Sequence, residues 1–257
     1  MRFVPQKGMV IIMTKQLKAV VLAAGKGTRL HTDDIDAPKV MREACGKPLL
    51  WHVLHAISFI DKKDIILVVG YKKESVTDYF GEYPYAVQSE QLGTGHAVMA
   101  ASDLLKDYQG ALLICYGDMP AIKRDIYEQL LQTHFDEGND CTILTGESTL
   151  KMSFGRIWRD ENGAFLHVIE EKDCTPEQLK IKELNTGVYV FNTPMLLSAL
   201  KELKNDNAQG EYYLTDVPAI MQKNKAKIGT LKRNLGDDII GVNTLEQLEL
   251  VESILSK

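Results

Sequence analysis

The residues best equipped for chemistry gather behind one short apolar run. Lys18-Ala19-Val20-Val21-Leu22 is β-branched and unbroken, the pattern of a buried parallel strand. It runs into Leu22–Arg29, Leu-Ala-Ala-Gly-Lys-Gly-Thr-Arg. Gly25 and Gly27 can take backbone angles closed to other residues and let the chain approach a ligand closely. Successive backbone N–H groups in such a loop form a concave anion site, and Lys26 and Arg29 add positive charge beside it. The stretch is neither a Walker loop nor the dinucleotide fingerprint, whose third glycine is missing. Taken alone, it is as compatible with an ordinary turn as with a phosphate cradle.

The other polar loops are similarly open one by one. Asp118 in Tyr116-Gly117-Asp118 follows an apolar run and could simply cap a helix, as could Asn243 before the last helix. Glu170 and Lys172 lie in a charge cluster whose ordinary reading is a solvated loop. Asn185 and Thr215 would usually bond backbone. His52 and His55 sit three apart on a helical pattern, but no further metal ligands accompany them.

Composition narrows the classes. The chain has 257 residues, 45% apolar and 25% charged, which suits a sizeable core in a soluble protein. Net charge is −5 and no Lys/Arg block stands out, which argues against nucleic acid as the main partner. The four cysteines, Cys45, Cys115, Cys141 and Cys174, form no Cys-x-x-Cys pair. They read as reduced, buried thiols of a cytoplasmic protein. The apolar run Gly8–Met13 is too short for a signal-peptide core or a membrane span. No membrane partner is expected. Residues 1–17 read as an N-terminal extension and 18–257 as a single domain.

The elements that must position these loops alternate. Asp64–Gly70, Ala111–Cys115 and Cys141–Thr145 read as buried strands; Leu49–Ile60, Lys72–Phe80, Thr94–Leu105 and Ile122–Phe135 read as helices. Strand–helix alternation predicts an α/β, Rossmann-like, mainly parallel sheet flanked by helices, with ligands beyond the carboxyl ends of the strands. In the second half, Asn162-Gly163 between alternating segments predicts a hairpin. Glu183–Phe191 and Lys227–Leu231 read as strands, and Met195–Leu203, Val217–Lys223 and Leu245–Leu255 as helices. The first half should hold a nucleotide and the second should close the pocket.

In order, the motifs are Leu22–Arg29, Pro38-Lys39, Gln88-x-x-Gln91-Leu92-Gly93-Thr94-Gly95-His96-Ala97, Tyr116-Gly117-Asp118, Gly155-Arg156-Ile157, Glu170-x-Lys172-Asp173, Asn185-Thr186-Gly187, Asn207–Asp216 and Gly241-Val242-Asn243. From about Lys18 to the C-terminus they closely resemble the pyrophosphorylase (uridyltransferase) domain of bacterial N-acetylglucosamine-1-phosphate uridyltransferases, enzymes of the nucleotide-diphospho-sugar transferase fold. The resemblance implies UTP and a sugar 1-phosphate as substrates and Mg²⁺ as cofactor. It implies that Leu22, Ala23, Ala24, Gly25, Lys26, Gly27, Gln88, Gln91, Gly93 and Thr94 bind the nucleotide. Tyr116, Gly117, Gly155, Glu170, Asn185 and Thr215 would hold the sugar, and Asp118 and Asn243 the metal. Arg29 and Lys39 would be catalytic, neutralising charge on the triphosphate. The amides of Gln88 and Gln91 suit uracil, which presents both a donor and acceptors.

The chain departs from the family in three places. The acidic stretch before Pro38-Lys39 is longer than usual. Phe154 stands where a tyrosine is usual. No hexapeptide repeats follow the last helix, so no acetyltransferase activity is expected, and the oligomeric state is open. Two alternatives differ in function: a uridylyltransferase for glucose or N-acetylgalactosamine 1-phosphate, and an inactive nucleotide-sugar binding or regulatory subunit.

Overall fold

The computed structural model describes residues 16–27, 37–147, 154–234 and 236–257. β1 (Leu17–Ala23) lies at the heart of a nine-stranded sheet. A two-strand ribbon, β2 (Glu43–Ala44) and β3 (Lys47–Pro48), leads into α1 (Leu49–Ala56). β4 (Ile65–Val69), α2 (Lys73–Tyr79), β5 (Tyr85–Val87), α3 (Thr94–Ala100), α4 (Ser102–Leu105) and β6 (Ala111–Tyr116) complete the first half. α5 (Arg124–Glu137), β7 (Cys141–Gly146), the hairpin β8 (Arg156–Arg159) and β9 (Phe165–Ile169), and β10 (Leu184–Asn192) follow. The chain ends with α6 (Thr193–Leu200), α7 (Val217–Lys223), β11 (Ile228–Arg233) and α8 (Leu245–Leu255).

The sheet order is β11-β7-β10-β6-β1-β4-β5, with β8 and β9 branching from β10. β1 pairs in parallel with β4 and β6, aligning Val21 with Leu67 and Cys115. All five residues of β4 are buried, as a strand covered on both faces requires. Side chains alternate between the two faces. Ala19, Val21 and Ala23 pack with Leu50 and Val53 of α1, Leu130 of α5 and Val251 of α8. Val20, Leu22 and Ala24 pack with Val98 of α3, Leu196 of α6 and Met221 of α7. The expected mainly parallel sheet flanked by helices is therefore present.

β10 is the exception that builds the site. It is antiparallel to both β6 and β7 and lies between them. It enters from the β8–β9 hairpin, which sits beyond the carboxyl end of β6, so it must run back against its neighbours. Asn185–Gly187, near its start, consequently lie beside the end of β6. There the register slips between Asn185 and Tyr189, and Gly187 takes φ +78°.

Several boundaries differ from expectation. α1 stops at Ala56, and the helix read as Thr94–Leu105 breaks at Ala101 into α3 and α4. α8 has the expected span, but its cap is Thr244 rather than Asn243. Thr244 and Gln247 form a reciprocal capping box. Cys115 and Cys141 are buried as expected, whereas Cys45 is exposed and Cys174 half-buried. Cys45 and Gly46 both have positive φ and form the tight turn joining β2 to β3, which carries the thiol outward. His52 Nε2 bonds the Ala44 carbonyl at 2.9 Å, and His55 stacks on Trp51. No helix among the described residues is long and apolar enough to cross a membrane.

Candidate active site

The carboxyl ends of β1, β5 and β6 open onto a cleft of two lobes. The first, about 300 Å³, is lined by Leu22, Ala24, Gly25, Lys39, Gln88, Gln91, Gly93, Thr94 and Glu211 among others. The second, about 220 Å³, is lined by Phe154, Gly155, Glu170, Asn185, Thr186, Gly187, Gln209, Tyr213, Gly241 and Asn243 among others. Thr94, Tyr116, Asp118 and Glu211 line both lobes. The expected nucleotide residues thus fall mainly on one lobe and the expected sugar residues on the other.

Opposite charges converge at the junction. Lys39 Nζ forms an ion pair with Asp118 Oδ2 and lies 2.7 Å from Asn243 Oδ1. The Asn243 amide is oriented from behind, since Nδ2 donates to the Gly241 carbonyl at 3.0 Å. Its backbone N–H donates to Gln247 Oε1 at 2.7 Å, tying it to the first turn of α8. Asp118 is fixed by the segment Gly241–Asn243, where Val242 N–H donates to the Asp118 carbonyl at 3.0 Å. Two side-chain oxygens from distant parts of the chain therefore face one cationic centre. Gly27 packs on the Lys39 stem: a Cβ there would lie 2.5 Å from Lys39 Cβ, and its φ is +64°. The glycine loop thus sets where Lys39 can stand.

The base-facing lobe has its own tethers. Gln88 Nε2 donates to the Gly93 carbonyl at 3.0 Å, and Gln91 Nε2 to the Ala24 carbonyl at 3.1 Å. Gly93, with φ +107°, caps α3, and Thr94 Oγ1 accepts from Leu214 N–H at 3.0 Å. Tyr212 N–H bonds the Leu92 carbonyl, and Gly95 N–H bonds the Tyr212 carbonyl at 2.7 Å. These bonds clamp Asn207–Asp216 onto the edge of the first lobe.

In the second lobe, Asn185 Nδ2 donates to Tyr189 Oη at 2.7 Å, and Thr215 Oγ1 donates to Glu170 Oε1 at 2.9 Å. Burial pushes the Glu170 carboxyl above its ordinary range, and Asp216, Asp173 and Glu211 add to this against the Thr215 bond. Burial likewise drives the Tyr116 phenol far above its usual range. The Tyr116 ring packs against Gly187, where any Cβ would overlap it.

Some expected site residues stand elsewhere. Ala23 points into the core on the opposite face of β1 and lines neither lobe. The amide of Gly117 donates to the Leu22 carbonyl, and the residue packs beneath the cleft on Val40 and Leu50. Thr215 acts behind Glu170. Lys26 lines a shallow depression beside Tyr71 rather than either lobe. Arg29 lies outside the described residues. Glu211, Gln209, Tyr213 and Thr186 line the cleft without having been assigned roles from the sequence. For Glu211, Gln209 and Tyr213 the signal was the polar run Asn207–Asp216, in which only Thr215 was singled out; for Thr186 it was Asn185-Thr186-Gly187, in which only Asn185 was.

The fold and cleft define a nucleotidyltransferase, and residues 18–239 match the family model described as nucleotidyl transferase. The chain belongs to that family. It is 42% identical over 239 residues to the "Bifunctional protein GlmU" of Lactobacillus gasseri, covering 93% of this chain and 51% of that protein. It is 43% identical over 244 residues to the protein of the same description from Caldanaerobacter subterraneus, covering 95% and 52%. The chain therefore spans about half the length of the curated relatives it matches. A solved structure from Bacillus anthracis, described as a glucose-1-phosphate thymidylyltransferase, superposes with a TM-score of 0.71. It covers 93% of this chain and 95% of its own at 19% identity, a likeness of fold.

Proposed function

We propose that the cleft transfers UMP from UTP to N-acetylglucosamine 1-phosphate, giving UDP-N-acetylglucosamine and pyrophosphate. The observation that carries this reading is the meeting of the two lobes at Lys39, Asp118 and Asn243. A nucleotide in one lobe and a sugar phosphate in the other would bring their phosphates to that junction. Leu22, Ala24, Gly25, Gln88, Gln91 and Gly93 line one side of it, Gly155, Glu170 and Asn185 the other, and Thr94 and Tyr116 both.

The chemistry follows from charge. A sugar-phosphate oxygen, already ionised at neutral pH, attacks the α-phosphorus in line, and the bond to the pyrophosphate oxygen breaks. No general base is needed, and the described lining of the cleft holds none of the Ser-His-Asp kind. The burden is holding two anions together and neutralising charge as it moves to the leaving group. Lys39 meets part of that burden, and Arg29 is proposed to share it. Asp118 and Asn243 fit Mg²⁺: both present oxygen to a position that already attracts a cation, and hard oxygen donors suit that ion. When bound, Mg²⁺ supplies charge neutralisation at the phosphates. Gln88, Gln91, Gly93 and Thr94 read the base. Glu170, set by Thr215, and Asn185 take the sugar's hydroxyl and amide groups. The reaction belongs in the cytoplasm, where UTP is made available.

The test is pyrophosphate release with UTP, CTP or dTTP against N-acetylglucosamine, N-acetylgalactosamine and glucose 1-phosphates, with and without Mg²⁺. Release confined to UTP, N-acetylglucosamine 1-phosphate and Mg²⁺ is expected. Preference for another sugar would move the specificity, and no release with any pair would leave a binding subunit.

A further inference from the structure

We infer that His96 is a positioning residue that sets base selectivity by locking the side-chain amide of Gln88 in one orientation. This deepens the proposed function and rests on it. Gln88 follows β5 and is only 4% exposed, yet it lines the nucleotide lobe. Its Nε2 lies 3.0 Å from the Gly93 carbonyl and 3.2 Å from His96 Nδ1. A backbone carbonyl can only accept, so the nitrogen end of the amide must face Gly93. With one amide proton on Gly93, the other points at His96, whose Nδ1 offers its lone pair. Both protons are then used, and Oε1 is the atom with which Gln88 meets a ligand.

An oxygen at that position accepts from the N3–H of uracil. It repels the N3 lone pair of cytosine. The reversed amide, which would favour cytosine, would set Oε1 against the Gly93 carbonyl and would require His96 to move its proton from Nε2 to Nδ1 before the ring could donate to it. His96 thus adds the cost of a tautomer change to the repulsion at Gly93. Its own ring is held in the first turn of α3 and packs toward Tyr212, 6.4 Å between ring centroids.

The test compares UTP and CTP for wild-type protein and the variants His96→Leu, His96→Ala and His96→Asn. The readouts are calorimetric nucleotide affinity and the ratio of kcat/KM values. Leu keeps bulk and removes the acceptor; Asn returns an acceptor oxygen near the position of Nδ1. Leu and Ala are expected to cut the UTP-over-CTP ratio by roughly tenfold, the worth of one hydrogen bond, chiefly through KM. Asn is expected to restore most of it. An unchanged ratio in both Leu and Ala, with wild-type preference for UTP, would overturn the positioning role while leaving the proposed function intact. Equal losses in Leu, Ala and Asn would also overturn it, since shape rather than the acceptor would then matter. Wild-type protein with no preference for UTP would overturn the proposed function itself, and this inference with it.

Discussion

Lys39, Asp118 and Asn243 come from three separate stretches and meet at the cleft junction with opposite charges paired. On the proposed metal assignment of Asp118 and Asn243, the ammonium stands where the ion would bind, and the two cations compete. Lys39→Met should therefore raise the Mn²⁺ affinity of the nucleotide-free protein, read by electron paramagnetic resonance, while lowering kcat. Unchanged Mn²⁺ affinity would separate Lys39 from the metal position. Asp118→Ala should abolish turnover while metal-free UTP binding survives in calorimetry. Glu170 makes a pH-dependent prediction. Its carboxyl titrates above its ordinary 4.5, so the ionised form at neutral pH costs stability that is absent in acid. Glu170→Gln should raise the melting temperature at pH 7, with the gain vanishing below pH 4.5, and should weaken sugar-phosphate binding. Residue type alone left each of these positions open, as a cap, a turn or a solvated loop, and only their order along the chain pointed to a site. Glu211 was passed over because a glutamate in a polar run carries no sign of which way it faces. The proposed metal pair, Asp118 and Asn243, and the proposed base reader Gln88 came only from the resemblance; their hydrogen-bond partners Gln247, Gly241 and His96 required coordinates.

At the scale of elements, α8 holds one edge of the site although it contributes no lining side chain. The Thr244–Gln247 capping box fixes its first turn, and Gln247 also accepts from Asn243 N–H. Thr244→Ala should cost about 1 kcal/mol of stability, the usual worth of such a cap, seen in denaturant melts. Gln247→Ala should loosen Asn243 and raise the Mg²⁺ concentration needed for half-maximal activity. An unchanged Mg²⁺ requirement would mean that Gly241 alone orients Asn243. The strands β1, β4 and β6 were readable because a parallel strand buried on both faces must be an unbroken apolar run. The Asn-Gly hairpin was readable from its turn chemistry. The direction of β10 was not, because an apolar alternation is the same read either way. Its direction is set by the β8–β9 hairpin that precedes it, and this places Asn185 and Gly187 beside Tyr116.

Across the whole molecule, β10 stitches the two halves into one sheet, and the Asn207–Asp216 strap binds the second half to the edge of the first lobe. Residues of both lobes therefore depend on one packed unit. Saturating UTP, near a hundredfold its Kd, should add about 2.7 kcal/mol and raise the melting temperature by about 5–10 °C in a single transition. A separate transition unaffected by UTP would contradict this coupling. The central claim concerns which bond breaks, and α-phosphate-labelled UTP tests it most directly. With N-acetylglucosamine 1-phosphate and Mg²⁺, the label should appear in UDP-N-acetylglucosamine while pyrophosphate stays unlabelled. Label recovered only in UTP, or in free UMP, would contradict the account.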